Sequence, residues 1–298
     1  MNSRILTKNS QYSTHNYIEG DLGCYSEYHI GLENIYNLTV FDLIVNRNNI
    51  TVMKKISLIG FLLYSVINAN SQSKISHELF NGLLKKHVTT EGKVSYTGFI
   101  KDSITLNQYL NLLSKTPPDT KTWTKQEQMA YWINAYNAFT IKLIIQYYPI
   151  KSIKEIGSSI QIPFVNSPWD IKFISVGNST MDLNDIEHRE LRKSFNDPRI
   201  HMVLVCASKS CPILLNQAYD PEKLDQQLDR QTKTFLDDPF RNKILPDKPQ
   251  LSMIFNWYGM DFTKNGRSVS TFVNTYSQIK IKSNAKILFL EYDWGLNE

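Results

Sequence analysis

Apolar residues recur at helical spacing in several parts of the chain after residue 72. The first such face consists of Leu79, Phe80, Leu83 and Leu84. It predicts a helix over 76–87, and a second helix is predicted over 103–114, where it ends before Pro117.

The longest predicted helix runs over 124–148. Thr124 and Glu127 have the spacing of a capping box at its start, and Pro149 stops it at the other end. Large apolar residues recur along it at helical spacing: Trp132, Tyr136, Phe139 and Leu143. We therefore expect this helix to be the buried centre of the fold.

Two asparagines, Asn134 and Asn137, lie one turn apart on this central helix. Asparagine is a poor helix former, and its amide is costly to bury without hydrogen-bond partners. The pair therefore has two interpretations. The amides either bond to neighbouring loops within the core or line a binding pocket and orient a catalytic group.

The rest of the chain mixes short strand patterns with further helices. Residues 170–176 alternate between apolar and polar, and Gly177-Asn178 is typical of a hairpin turn. Further strands are predicted over 200–206, 251–255 and 286–292. Further helices are predicted over 184–195, from Asp220-Pro221 onward, and over 269–279. This pattern predicts an α+β fold, in which an antiparallel sheet packs with helices around the central helix 124–148.

Residues 53–71 have the pattern of a secretory signal peptide. Two lysines follow Met53, then an apolar run, then small residues at Ala69 and Ser71. The apolar run is shorter than the about 20 residues that a membrane span needs, so no stable span is expected after cleavage. Residues 1–52 are interpreted as a non-native or disordered extension; the alternative is a disordered extension before an internal anchor helix. The prediction is a single domain over 72–298, exported to the periplasm or secreted.

The charge of the chain argues against a nucleic-acid partner. It has 33 Lys and Arg against 28 Asp and Glu, a net charge of +5, and no run of basic residues stands out.

The segment 184–212 concentrates the groups needed for nucleophilic catalysis. Cys211 is the candidate nucleophile, because Pro212 favours a helix start there and a helix N-terminus stabilises a thiolate. Cys206 is interpreted as a small buried side chain or as a disulfide partner of Cys211. Their spacing does not fit a zinc knuckle and no histidine follows Cys211, so neither a metal nor a cofactor is expected.

Two histidines are candidates for the base. If 200–206 is a strand that rises about 3.3 Å per residue, His201 lies about 16 Å from Cys206. His188 on the preceding helix has no such constraint and is preferred, with His201 as the alternative. Asp185, one turn before His188, and Glu187 are candidates to orient an imidazole.

Four segments of the chain carry a further signal: residues 131–137 (YWINAYN), 183–188 (LNDIEH), 197–212, and 251–258 (LSMIFNWY) with Asp261-Phe262. In these segments the chain resembles one family, called "domain of unknown function 547". The order of the family's elements is similar to that of the papain and transglutaminase superfamily. That similarity implies a long central helix packed on an antiparallel sheet, which supplies histidine and acid. In this chain the central helix carries Asn134 and Asn137 where that superfamily has its cysteine.

Two hypotheses for the function result. The first is a hydrolase or transferase acting on a peptide or small amide, with Cys211 as nucleophile and His188 as base. The second is a non-catalytic binding domain of the cell envelope with a structural Cys206/Cys211 pair. Its pocket would use Trp132, Asn134, Trp257 and Tyr258.

Overall fold

In the computed structural model, the first three helices of the described residues form a helical layer. The structure describes residues 75–157, 160, 162 and 166–298, so the predictions for 1–52 and 53–71 lie outside the described residues. The helices are α1 (Glu78–His87), α2 (Tyr96–Lys101) and α3 (Ser103–Lys115). The predicted helices over 76–87 and 103–114 are thereby confirmed. Sequence periodicity missed α2, a short helix in which the Ser95 side chain accepts a hydrogen bond from the Gly98 N–H.

Helix α4 (Lys125–Tyr147) is the centre of the fold, as predicted. Both halves of the capping box are present: Thr124 Oγ1 accepts from the Glu127 N–H, and the Glu127 carboxylate accepts from the Thr124 N–H. The helix is buried along most of its length, which places Asn134 and Asn137 in the interior. Tyr148 is extended, as the residue before a proline must often be.

The predicted hairpin is also present. Strands β1 (Ile174–Val176) and β2 (Ser179–Met181) pair antiparallel, with Ile174 opposite Met181. Gly177 in the turn has a φ of 57°, a conformation that a glycine adopts without steric cost.

The predicted strand over 200–206 is wrong. Residues Pro198–Met202 form a 3₁₀ helix, which Asp197 caps by accepting a hydrogen bond from the Arg199 N–H. Proline at the first helical position is pre-set for this turn. The apolar run is buried on all sides, and periodicity alone does not distinguish such a run from an interior strand.

The predicted helix over 184–195 is present, but most of it is a π-helix, Asp185–Arg192, followed by α5 (Lys193–Phe195).

The remaining helices are α6 (Leu224–Asp237), α7 (Ile254–Trp257), α8 (Gly259–Thr263) and α9 (Val269–Tyr276). Three-residue 3₁₀ turns lie at Ile153–Glu155, Pro168–Asp170 and Lys264–Gly266. Helix α6 begins three residues after the predicted Pro221, because Asp220 accepts from the Glu222 N–H in a separate turn.

The last two predicted strands are mostly irregular. Strand β3 (Gln250–Leu251) and strand β4 (Leu288–Phe289) pair in parallel over two residues each. The rest of the predicted strand 251–255 becomes α7, where Ser252 Oγ accepts from the Ile254 N–H. The α+β class is confirmed. Among the described residues, each of the two sheets has two strands; β1 and β2 pair antiparallel, and β3 and β4 pair parallel.

Two apolar clusters fill the interior. The larger surrounds α4 and includes α1 to α3 and the hairpin. The smaller lies between α6, α7, α8 and α9 and is rich in phenylalanine. Within the described ranges, no helix combines the length and hydropathy needed to cross a membrane.

Candidate functional site

A cavity of about 500 Å³ lies beside the π-helix. Its aromatic lining consists of Tyr136, Trp169, Trp257, Tyr258, Tyr292 and Trp294. Its polar lining includes Lys154, Ser167, Asn184, Glu187, His188, Arg192 and His201. Cys206 and Cys211 also line it, so the cavity brings together both cysteines and both histidines that the sequence singles out.

The two cysteines form a disulfide, with their Cα atoms 6.3 Å apart. The predicted helix start at Cys211 is wrong, since residues 212–223 are turns and extended chain before α6. Cys211 is 2% exposed, whereas Cys206 is only partly buried. A sulfur within a disulfide has no thiolate to attack an amide, so the bonded pair does not supply the predicted nucleophile.

Hydroxyl and backbone groups surround the two sulfurs. Cys211 Sγ accepts hydrogen bonds from the Cys206 N–H at 3.0 Å and from the Tyr292 hydroxyl at 3.2 Å. Cys206 Sγ lies 3.3 Å from Ser208 Oγ and 3.4 Å from the Tyr292 hydroxyl oxygen. None of these partners is an imidazole, so the cysteine–histidine contact that the hydrolase hypothesis requires is not among them.

The two asparagines of α4 hold the chain on both sides of the disulfide. Asn137 donates to the Val203 C=O and accepts from the Val205 N–H, both at 3.0 Å. Asn134 donates to the Tyr219 C=O at 2.8 Å and accepts from its N–H at 2.9 Å. Each side-chain amide therefore gives a loop the hydrogen-bond donor and acceptor that another backbone segment would otherwise supply. This agrees with the interpretation that the two amides bond to neighbouring loops within the core. Neither asparagine lines the cavity, and Trp132 does not line it either.

The π-helix brings three charged or titratable side chains to the cavity wall. In a π-helix, hydrogen bonds join residues five apart, so the turn is wider than in an α-helix. Glu187 and Arg192, five residues apart, and His188 all line the cavity. In an α-helix the 3.6-residue repeat would turn residues five apart away from each other. π-turns occur frequently at functional sites.

His201 lies between two carboxylates. Its Nε2 donates to Asp261 Oδ2 at 2.9 Å, and its Nδ1 is 3.9 Å from Glu187 Oε1. The Tyr258 ring stacks on the imidazole with centroids 4.0 Å apart. The prediction that His201 is remote from Cys206 rested on the strand over 200–206, and the 3₁₀ helix places both residues in one cavity.

Asp261 is the centre of an ionic cluster behind His201. Arg192 Nε donates to Asp261 Oδ2 at 2.6 Å, and Lys264 Nζ lies 3.0 Å from Oδ1. Burial raises the pKa of this carboxyl. The hydrogen bonds from His201, Arg192 and Lys264 outweigh burial and hold the pKa well below its usual range. Asp261 is therefore ionised at neutral pH and accepts a hydrogen bond from the His201 Nε2–H.

His188 is oriented by Arg192. The guanidinium group lies 2.7 Å from His188 Nδ1, and since a guanidinium only donates, Nδ1 is the acceptor and Nε2 carries the proton. Burial lowers the pKa of His188, Glu187 opposes this effect and Arg192 adds to it. In the neutral ring the lone pair lies on Nδ1, where it already accepts the Arg192 hydrogen bond, so this arrangement does not leave it for the role of a base. Asp185 is bound by Lys172 and Arg189, rather than forming the predicted bond to His188.

The aromatic residues form one continuous apolar wall. Trp257 and Trp294 stack at 5.6 Å, and Tyr292 packs on them with its centroid 4.8 Å from Trp257 and 4.6 Å from Trp294. Trp169 adds an edge contact to Trp294 at 5.7 Å. The Lys154 ammonium lies over the Trp294 ring at 5.0 Å and adds positive charge to this wall.

Several residues of this site were missed in the sequence: Lys154, Trp169, Arg192, Asp261 as a partner of His201, Tyr292 and Trp294. Tyr292 and Trp294 alternate around Asp293, a pattern that places both on one side of an extended segment. That signal was available. Nothing local indicates that Arg192 and Asp261, 69 positions apart, would meet.

Residues 120–236 match the model of a family described as "Protein of unknown function, DUF547". The match includes α4, the π-helix, both histidines and both cysteines, and it ends before Trp257, Asp261 and Tyr292. No curated protein and no solved structure matched the chain. The similarity to the papain and transglutaminase superfamily therefore remains a prediction.

Proposed function

Residues 120–236 belong to the DUF547 family of proteins of unknown function, and we propose that the domain built around them binds a peptide or small amide ligand in the aromatic cavity. One observation carries this proposal. The cavity combines an aromatic wall with convergent polar groups, and the two cysteine sulfurs that line it are joined in a disulfide.

The size and lining of the cavity support a ligand of this class. Ligand pockets usually have volumes of about 300–1,000 Å³ and combine apolar walls with a few placed polar groups. An amide presents one donor and one acceptor. The cavity offers Glu187 as an acceptor and the Asn184 amide as a donor. The tryptophan wall supplies apolar area for the side chains of a peptide.

The disulfide favours binding over cleavage. Hydrolysis by Cys211 requires a thiolate and a base in contact with it. The sulfurs instead contact Tyr292, Ser208 and a backbone N–H. Disulfides persist in oxidising compartments, so the proposal includes an exported location, in the periplasm or outside the cell.

The test is a titration of the oxidised full chain with a panel of blocked dipeptide amides. Binding is followed by tryptophan fluorescence and by calorimetry. Trp257 is 45% exposed, so Trp257→Ala removes part of the wall with little effect on the core. We expect saturable binding to at least one member of the panel and at least a roughly tenfold loss of affinity in Trp257→Ala.

The matched control is Tyr147→Ala, because Tyr147 is 49% exposed and lies outside the cavity lining. It should leave the affinity unchanged. Saturable binding to none of the panel, or equal losses in both variants, would overturn the proposal. Mass spectrometry of the ligands separates binding from catalysis. Cleavage by the reduced wild type but not by reduced Cys211→Ser would instead support the hydrolase hypothesis.

A further inference from the structure

The two sulfurs of the disulfide differ in access and in their hydrogen bonds. Both cysteines line the cavity, but Cys206 is partly exposed, whereas Cys211 is 2% exposed. An external thiolate therefore reaches Cys206 Sγ more easily. Attack on Cys206 would release Cys211 as the leaving thiolate.

Cys211 is surrounded by groups that stabilise a leaving thiolate. Its sulfur accepts from the Cys206 N–H at 3.0 Å and from the Tyr292 hydroxyl at 3.2 Å. Ser208 Oγ donates to the Tyr292 oxygen at 3.1 Å, which polarises the tyrosine O–H towards the sulfur. Burial raises the pKa of Tyr292, so its hydroxyl remains a donor at neutral pH. A leaving thiol of lower pKa leaves faster.

A cation and the C-terminal segment fix the loop that carries Cys211. Arg241 donates to the Cys211 C=O and, at 2.7 Å, to the Lys209 C=O. The Lys209 N–H donates to the Gly295 C=O at 2.8 Å, and the Ser210 N–H donates to the Asp293 C=O at 3.2 Å. These contacts do not involve the sulfurs. They therefore persist after reduction and keep the two thiols close enough to pair again.

From this asymmetry we infer that the Cys206–Cys211 disulfide is a thiol–disulfide exchange centre that oxidises peptide thiols, with Cys206 as the attacked sulfur, Cys211 as the leaving group and Tyr292 as the hydrogen-bond donor that stabilises the Cys211 thiolate. A peptide thiol fits the cavity because the aromatic wall lies directly beside the disulfide. The activity goes beyond ligand binding and does not depend on it.

The exchange balances in two steps. The substrate thiolate attacks Cys206 Sγ, the new S–S bond forms, and the old bond breaks with its electron pair left on Cys211. A second substrate thiolate then attacks the substrate sulfur of the mixed disulfide and leaves the electron pair on Cys206. Two substrate thiols are oxidised to one disulfide, and the two protons they release end on Cys206 and Cys211.

The first experiment uses the oxidised full chain and reduced glutathione as the probe. The reaction is quenched with iodoacetamide at successive times, and the sites are assigned by mass spectrometry. We expect glutathione on Cys206 and the alkyl group on Cys211 at early times. Early glutathione on Cys211, or exchange no faster than that of a linear disulfide peptide, would overturn the inference.

The second experiment compares Tyr292→Phe with Tyr147→Phe, since Tyr292 contacts the sulfurs, whereas Tyr147 is 49% exposed and lies outside the cavity lining. Tyr292→Phe should slow exchange by roughly fivefold, and Tyr147→Phe should stay within about twofold of wild type. In the reduced proteins, the midpoint of the pH profile of Cys211 alkylation should shift to higher pH only in Tyr292→Phe. Equal profiles in all three proteins would remove Tyr292 from the role. The dipeptide amide titration does not enter either experiment, so each proposal fails or stands by itself.

Discussion

At the scale of single residues, His77 is the group whose ionisation opposes folding most directly. Its Nδ1 is 2.7 Å from the Tyr109 hydroxyl, and among the described residues its Nε2 has no hydrogen-bond partner. Burial lowers the pKa of His77 from 6.5 to about 4, against an opposing effect of Asp220. His77 is therefore neutral in the folded protein at pH values where the unfolded chain already binds a proton.

This lowered pKa predicts a loss of stability in acid. The free energy of unfolding is not reduced by His77 above 6.5, the pKa of His77 in the unfolded chain. It decreases as the pH falls from there towards about 4, the pKa in the folded protein. The full loss is about 3 kcal/mol, because each unit of pKa shift corresponds to about 1.4 kcal/mol.

The measurement is the free energy of unfolding in urea between about pH 7.5 and pH 4, for wild type and His77→Gln. Glutamine can bond to Tyr109 but does not titrate. The difference between the two proteins isolates His77 from the carboxylates, which also titrate in this range. It should be constant above about pH 7.5 and should change by about 3 kcal/mol below that pH. A difference that does not vary with pH would show that His77 is not the titrating group.

At the scale of elements, helix α4 organises the site through its side-chain amides. Asn134 and Asn137 bond to the loops on either side of the disulfide, so the helix positions loops that are distant from it in sequence. Both amides are fully paired with backbone groups in the core. Removing either one leaves a buried C=O and a buried N–H without a partner.

Asn137→Ala should therefore lower the free energy of unfolding by roughly 2–4 kcal/mol, since it leaves the Val203 C=O and the Val205 N–H unpaired. Urea unfolding at neutral pH measures this loss. The control is Asn256→Ala, at an exposed helical position, which should change the stability by less than about 0.5 kcal/mol. Equal effects of the two substitutions would contradict the role given to Asn137.

The elements that the sequence predicts well have strong local signals. The capping box at Thr124 and the turn at Gly177 give the observed structure. Of the apolar face predicted for the first helix, Phe80, Leu83 and Leu84 are buried, whereas Leu79 is 41% exposed. The strand over 200–206 was wrong because Asp197 and Pro198 start a 3₁₀ turn within an apolar run. The π-helix was predicted as an ordinary helix, because its hydrophobic spacing does not show the wider turn.

The candidate site was harder to predict than the fold because its residues come from distant segments. His188, His201, Cys206 and Cys211 lie within 25 positions and were found together. Their partners Asp261 and Tyr292 come from later segments and meet them only through tertiary packing. The two imidazoles also differ in partners from distant and local segments: His201 contacts the Asp261 carboxylate, and His188 contacts the Arg192 guanidinium.

At the scale of the whole molecule, the segment 293–297 joins three parts of the fold. The Val94 N–H donates to the Asn297 C=O at 2.9 Å, and the Leu296 N–H donates to the Lys151 C=O at 3.0 Å. The Lys209 N–H bonds to Gly295 in the disulfide loop. Leu296 is 5% exposed within the larger apolar cluster. One short segment thus connects the helical layer, the end of α4 and the cysteine loop.

Truncation after Tyr292 should therefore destabilise the fold by roughly 4 kcal/mol, from the buried Leu296 side chain and several lost hydrogen bonds. Hydrogen exchange should show the largest loss of protection at residues 207–211, whose partners are removed. Deletion of Glu298 alone is the control, because it is exposed and bonds only to the Tyr148 hydroxyl among the described groups. A truncated chain with wild-type protection at 207–211 would contradict this role of the segment.

The position of this segment in the chain has a consequence for biosynthesis. A ribosome makes residues 293–297 after every other part of the cavity, and a domain generally folds as a unit. The cysteine loop receives its partners Asp293 and Gly295 only when the final part of the site has been translated. The two thiols of a nascent chain are thus synthesised before the structure that holds them together is complete.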